Sequence, residues 1–145
     1  MDNTLQFLRK ECITMILVGI DIGKNKHTFS IIDKGTGEIL LNPSVFDNNQ
    51  TGFLYLIKKL SGYAKSELLI GMEDTGHYHF ALLKYLLDSR YTVALINPTT
   101  TDLTRKIQGG ITKNDTLDSI TICDVISSNQ RKKPYRITKV NRFLL

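Results

Sequence analysis

The 145-residue sequence has only two cysteines, Cys12 and Cys123, and neither belongs to a CxxC or Cys/His cluster. This scarcity argues against a disulfide framework and a structural zinc site, and it fits a reducing compartment. No apolar run approaches the length of about 20 residues that a membrane-spanning helix needs. The first apolar stretch, 15–20, is too short for a signal peptide and lacks a small-residue cleavage site, so we expect a cytoplasmic protein.

Internal repeats and low-complexity tracts are also lacking, and the length predicts a single folded domain. The net charge of +5 is unevenly distributed, because residues 131–145 hold six basic side chains and no acidic one. Such a segment is able to neutralise phosphates, and it is equally typical of a solvated linker. We therefore expect a flexible or wrongly included extension at 1–14, a folded domain at 15–130, and a basic tail or linker start at 131–145.

Apolar runs in the sequence indicate five β-strands. They lie at 16–22, 27–33, 38–46, 67–73 and 91–98. The third run contains Pro43, which predicts a break in that strand.

Three segments have the pattern of a helix. The first is capped by Thr51 and ends near Gly62, and the second carries a stripe that includes Tyr78 and Leu82. A polar loop at 99–114 precedes the third helix, which begins near Asp115 and continues to about Ser128. The resulting order of elements predicts an α/β fold, with a mixed five-stranded sheet and helices on its faces.

Four carboxylates lie where the pattern predicts burial. Asp21 and Glu73 end the first and fourth predicted strands, whereas Asp115 and Asp118 are three residues apart on the last predicted helix. That spacing puts the two helical acids on one face. Buried carboxylates cost several kcal/mol each unless they are paired. A divalent cation such as Mg²⁺ is the simplest partner for four of them, and two such ions clamp the reacting oxygens of a phosphoryl displacement.

Each acid also has a purely structural interpretation. Asp21 is a surface acid if its strand is half exposed, and Glu73 is favoured by a helix dipole if it precedes a helix. Asp115 and Asp118 are typical of residues that cap and charge a first helical turn.

Three segments resemble the DEDD transposases of the IS-one-ten (IS110) insertion-sequence group and the related pilin-gene DNA invertases. GIDIGKNKH resembles the family's opening G-I-D-V-S-K, and MEDTGHYH resembles its E-x-T-G-x-Y. The stretch LINPTTTDLTRKIQGGITKNDTLDS resembles the part with N-P, an Arg and K-T-D-x-x-D-A. The match covers residues 15–128, although Gly23, Asn114 and Ser119 replace the usual Ser, Thr and Ala.

The resemblance implies an RNase H-like (RuvC-like) fold and a catalytic D-E-D-D tetrad, carried here by Asp21, Glu73, Asp115 and Asp118. That tetrad binds Mg²⁺ or Mn²⁺ for DNA strand cleavage and transfer in transposition. The resemblance further implies a homo-oligomer, a structured guide RNA and a second domain with a serine nucleophile. This sequence stops before such a domain, so we expect the complete enzyme to need more chain.

Several other residues are candidates for nucleic-acid contacts, each with a solvated loop or tail as the alternative. They are Lys24, Lys26, Arg105, Lys106, Lys113, Arg131, Lys132 and Lys133. Thr75-Gly76 is a candidate phosphate contact or simple N-cap. His77 and His79 are candidate metal ligands, although histidines in this position are more often structural. The aromatic residues have core spacing and indicate no stacking platform.

Two other functions remain open from the residues alone. Gly-Ile-Asp-Ile-Gly after a strand also opens actin-like ATPases and sugar kinases, but the second Gly-rich phosphate loop of those proteins is lacking. A truncated product that binds nucleic acid without cutting it, as a relic or an inhibitor, is the non-enzymatic alternative.

Overall fold

The computed structural model describes residues 14–97 and 117–127, and the backbone of 135–138. Six strands lie in this part of the chain: β1 Ile16–Asp21, β2 Lys26–Asp33, β3 Ile39–Asp47, β4 Leu68–Glu73, β5 Val93–Ile96 and β6 Tyr135–Thr138. The α-helices are α1 Gln50–Leu60, α2 Phe80–Asp88 and α3 Ser119–Ile126, and a short 3-10 turn spans Lys65–Glu67. No helix among these residues is long and apolar enough to cross a membrane.

The six strands form one mixed sheet in the order β3-β2-β1-β4-β5-β6. β1 is antiparallel to β2 and parallel to β4, and β5 is parallel to β4. The predicted mixed α/β sheet and its five strands are confirmed. β6, antiparallel to β5, is an additional edge strand that the sequence interpretation missed because it lies within the basic segment.

Helices cover both faces of the sheet. α1 and α2 pack on one face, against alternate residues such as Val18, Ile20, Ile70 and Met72. α3 packs on the other face, against Leu17, Leu69, Ala94 and Ile96. Strands buried on both sides explain why β1, β4 and β5 are continuous apolar runs rather than alternating ones.

Two glycines in the central strands bring α3 close to the sheet. A Cβ atom at Gly19 would overlap the backbone carbonyl oxygen of Ser119, and one at Gly71 would lie 2.8 Å from Cγ2 of Ile126. A serine pair fastens the same contact, because the buried hydroxyls of Ser30 and Ser119 share a 2.7 Å hydrogen bond. Backbone-to-backbone contact of this kind needs glycine. The first turn of α3 is therefore fixed over β1 and β2.

Two local predictions were wrong. β3 is not broken at Pro43, because the pairing with β2 shifts between Phe29–Ser44 and Ile31–Leu41 and absorbs the proline in a bulge. An edge strand tolerates this, since its outer side needs no N–H donor. Thr51 does not cap α1: the N-cap is Asn49, whose Oδ1 accepts a 2.9 Å hydrogen bond from the Gly52 N–H.

The second helix begins later than its apolar stripe predicted. α2 begins at Phe80 with His79 as its N-cap, so Tyr78 precedes the helix and is exposed. Gly76, at a φ of +88°, turns the chain just before this point. The predicted extension at 1–14, apart from residue 14, and the predicted loop at 99–114 lie outside the described residues.

Candidate metal centre at the carboxyl edge of the sheet

The first two carboxylates of the predicted tetrad end neighbouring parallel strands. Asp21 is the last residue of β1, and Glu73 is the last residue of β4. Ile20 pairs with Met72, so Asp21 and Glu73 occupy the next register position. Paired residues on parallel strands lie about 4.8 Å apart and direct their side chains to the same face. That face is the one α3 covers, since Gly19 and Gly71 precede the two acids by two residues each.

Glu73 is tied to the segment that leads into α3. Its side chain is buried, with 8% exposure, and Oε1 accepts a 2.9 Å hydrogen bond from the backbone N–H of Leu117. A carboxylate that accepts a backbone N–H at a helix start is stabilised by that bond and by the helix dipole. The chain on either side of Leu117 is thereby held at the strand edge where Asp21 lies.

Asp118 begins the last helix rather than lying within it. It is the N-cap of α3, it is exposed, and its Oδ1 accepts a 2.7 Å hydrogen bond from the Thr121 N–H. The prediction that Asp115 and Asp118 share one face of a helix is therefore wrong for Asp118, because its backbone is extended and its side chain caps the first turn. Asp115 lies outside the described residues.

The environment of α3 is acidic. Partial burial and, secondarily, the charge of Asp118 raise the pKa of Asp124. Burial, with a smaller contribution from Asp124, raises the pKa of the Cys123 thiol to about 12. A thiol with such a pKa is neutral at physiological pH. Its Sγ instead faces the backbone oxygens of Leu17 and Ser30 at 3.8 and 3.9 Å.

Within the part of the chain that the structure describes, no three His, Cys, Asp or Glu side chains converge closely enough to hold a metal ion. The structure does bring Asp21 and Glu73 to one edge and fixes Asp118 one residue beyond Leu117. The oxygens of these carboxylates are the kind of ligand that a hard divalent cation such as Mg²⁺ prefers. The donor chemistry thus suits the predicted metal, and Asp115, the fourth predicted ligand, lies outside the described residues.

The segment after Glu73 contains a buried histidine whose ring nitrogens are both engaged. The Thr75 N–H lies 3.3 Å from Nδ1 of His79, and Oδ1 of Asp74 lies 3.5 Å from its Nε2. His79 therefore organises the loop, and its interpretation as a structural residue is favoured over a metal role. Thr75 points its N–H at His79 rather than at a phosphate, while His77 is exposed.

Two of the predicted cationic contacts lie in the described residues. Lys24 lies on the turn after Asp21 and Lys26 is the first residue of β2, and both are exposed. That turn is fixed by a 3.1 Å hydrogen bond from the Gly23 N–H to Nδ1 of the buried His27. The other cationic candidates lie outside the described residues: Arg105, Lys106, Lys113, Arg131, Lys132 and Lys133.

Sequence reasoning missed Leu117, Ser30 and Ser119. Their roles come from a backbone N–H and from two hydroxyls that are 89 positions apart, so local patterns do not indicate them. A usable signal was present, however. Gly19 and Gly71 interrupt otherwise bulky buried strands, and such glycines mark the close approach of another backbone.

The strand order, the antiparallel β2 and the helices on both faces define a mixed α/β domain in which carboxylates end two neighbouring parallel strands. The chain belongs to the IS110-type DEDD transposase family, whose model, described as a transposase, matches residues 18–142. The predicted family is therefore confirmed.

The proteins similar to this chain include a curated relative and the RuvC protein, of which structures have been solved. The pilin gene-inverting protein of Moraxella lacunata is 31% identical over 105 residues, which cover 71% of this chain and 31% of that protein. This chain thus spans less than a third of that relative. RuvC of Thermus thermophilus, solved alone and with a Holliday junction substrate, is 14% and 10% identical. In each case the TM-score is 0.46, with 75% of this chain and 88% of RuvC covered.

Proposed function

We propose that this chain is the N-terminal catalytic domain of a transposase, which cleaves and transfers DNA strands with Mg²⁺ or Mn²⁺ held by Asp21, Glu73, Asp115 and Asp118. The observation that carries the proposal is the meeting of three chain segments at one edge. Asp21 and Glu73 end adjacent parallel strands, and the Leu117 N–H bound to Glu73 brings the start of α3 to them. Membership of the transposase family supports the same reaction class.

When bound, the divalent metal stabilises the charge that develops on the phosphate and lowers the pKa of a bound water. The protein's own part is to bind and to orient. Glu73 and Asp21 are presented by a rigid sheet, and the Leu117 N–H fixes one oxygen of Glu73. Asp118 is fixed by its own bond to Thr121. Because these carboxylates are ordered beforehand, little reorganisation is needed when metal and DNA arrive.

DNA is the substrate that this proposal requires. The name of the pilin gene-inverting relative describes an enzyme that rearranges a DNA segment, which supports the same substrate class here. A structured guide RNA and a homo-oligomer are further proposals, and they rest on the resemblance described above. A second domain with a serine nucleophile is likewise a proposal that rests on that resemblance alone.

The test is strand cleavage of end-labelled branched DNA, with Mg²⁺ or Mn²⁺, by the 145-residue chain and by a longer version that carries the second domain implied by the resemblance. We expect metal-dependent nicking that Asp21→Asn abolishes, with the melting temperature unchanged. Asp88→Asn is the matched control, because Asp88 is exposed on α2 and pairs with Lys84 on the same helix. DNA binding without cleavage by either unmodified version would favour the non-catalytic alternative.

A further inference from the structure

Two large aromatic side chains lie exposed shortly after Glu73. Tyr78 is 46% exposed and Phe80 is 57% exposed, although the sequence had indicated no stacking platform. Single exposed apolar residues are common on protein surfaces, so exposure alone decides nothing. What distinguishes this pair is how the rings are supported and which charges lie beside them.

Phe80 is held from behind by a buried ring. Its centroid lies 4.5 Å from that of His79, with an angle of 31° between the ring planes. His79 is only 1% exposed and is itself fixed by Thr75 and Asp74. A ring supported in this way loses little conformational freedom when a flat group stacks on its exposed part.

Tyr78 is joined to the cationic turn by one side chain. Nδ2 of Asn48 donates to the backbone oxygen of Lys24 at 3.0 Å and lies 3.4 Å from that of Tyr78. Lys24 and Lys26 are exposed, and neither forms an ion pair with any residue that the structure describes. The turn that carries Lys24 therefore lies beside the backbone of Tyr78, and both lysine side chains are exposed.

We infer that Tyr78, Phe80, Lys24 and Lys26 form a stacking surface that binds an unpaired stretch of the DNA strand. Nucleobases stack on the two rings, and the phosphates between them face the two lysines. In a duplex the base faces are covered by their neighbours, so only an unpaired strand offers them to a protein ring.

The position of the stacking surface indicates that the strand it binds is the DNA strand that is to be cut. The loops that carry it leave the sheet directly after Asp21 and Glu73, at the edge where both carboxylates lie. A strand held there continues towards those carboxylates. This inference rests on the proposed function, since it assumes that DNA is brought to that edge for cleavage.

The test measures how tightly a fluorescently labelled single-stranded DNA oligonucleotide binds to the 145-residue chain. Binding is monitored by fluorescence anisotropy in the presence of EDTA. We expect Tyr78→Ala and Phe80→Ala each to weaken single-strand binding by about five-fold or more, as loss of one base–ring stack does. Binding of the matching duplex should be unchanged. Tyr78→Trp and Phe80→Tyr keep a flat ring and should retain binding.

Tyr55→Ala is the matched control, because Tyr55 is a similarly exposed aromatic residue, at 40%, on α1. Lys24→Gln should reduce the salt dependence of binding without changing its preference for single strands. The inference is overturned if both alanine variants, with unchanged melting temperatures, bind single strands like the unmodified chain. It is also overturned if the alanine substitutions weaken the binding of RNA of the same sequence but leave the binding of the DNA strand unchanged.

The experiments distinguish failure of the stacking surface from failure of the proposed function. EDTA removes cleavage from the binding assay, and Glu73→Gln should bind the single strand normally. Cleavage with normal binding by the alanine variants rejects the stacking surface alone. Ring-dependent binding without cleavage rejects the proposed reaction and keeps the stacking surface.

Discussion

The backbone N–H of Leu117 donates a 2.9 Å hydrogen bond to Oε1 of Glu73, 44 positions earlier in the chain. Both residues are buried, with exposures of 2% and 8%. The bond joins the end of a central strand to the segment that enters α3. A change at Glu73 therefore alters two things at once: the carboxylate proposed to bind metal and the attachment of the last helix.

Two substitutions at Glu73 separate these effects. Glu73→Gln keeps an oxygen that accepts the Leu117 N–H, so its free energy of unfolding should change by less than about 1 kcal/mol. Glu73→Ala leaves a buried N–H without its partner, which should cost about 1–3 kcal/mol. Both variants should lose metal-dependent cleavage. Urea unfolding beside the cleavage assay checks this, and equal destabilisation of both variants would refute the role of the bond.

At Asp118 the helix cap and the proposed metal ligand can be separated in the same way. Asp118→Ser keeps an oxygen that accepts the Thr121 N–H, so we expect near-normal stability but lost cleavage. Asp118→Ala should lose cleavage and also about 1 kcal/mol of stability, the usual cost of removing an N-cap. Thermal unfolding distinguishes the two. Full cleavage by the serine variant would show that Asp118 is only a cap.

The close approach of α3 to β1 predicts a strong effect of one methyl group. Gly19→Ala overlaps the Ser119 carbonyl oxygen, which is backbone and cannot rotate away, so we expect a loss of about 2–3 kcal/mol. Gly71→Ala meets the flexible end of the Ile126 side chain and should cost less. Urea midpoints of the two variants provide the comparison. A neutral Gly19→Ala variant would mean that α3 lies farther from the sheet.

Two buried histidines predict that the fold loses stability as the pH falls. Burial lowers the pKa of His27 below its usual 6.5, against a smaller opposing effect of Asn48. Burial also lowers the pKa of His79, against the opposing charge of Asp74. The unfolded chain therefore takes up more protons below pH 6.5 than the folded chain does, and acid favours unfolding.

We accordingly expect the free energy of unfolding to fall as the pH is lowered through 6.5, the usual pKa of histidine. The measurement is urea unfolding at a series of pH values. In His27→Asn, whose Oδ1 is placed to accept the Gly23 N–H, the slope should be smaller. A free energy of unfolding that stays constant or increases as the pH is lowered would contradict the burial of neutral imidazoles.

The sheet and the two strand-end acids were predictable because their signals are local. β1 and β4 are buried on both faces, so each is a short apolar run, and an acid at the end of such a run is conspicuous. The start of α3 was not predictable, because Asp at this position is equally typical of a cap and of a first turn. The bond between Asp118 and Thr121 decides for the cap.

Other features depend on contacts that no local pattern encodes. β6 is an edge strand that is defined by its backbone pairing with β5. No apolar run in the sequence marks it. Tyr78 has the spacing of a helical stripe with Leu82, but the turn at Gly76 and the cap at His79 keep it outside α2. Its exposure became visible only in the three-dimensional structure.

Calorimetric titration of the 145-residue chain with Mn²⁺ tests the proposed metal centre most directly. We predict saturable binding that Asp21→Asn and Glu73→Gln each abolish, while Asp88→Asn binds like the unmodified chain. Absence of binding by the unmodified chain, or undiminished binding by the folded Asp21→Asn variant, would contradict the assignment of these carboxylates to a catalytic metal site.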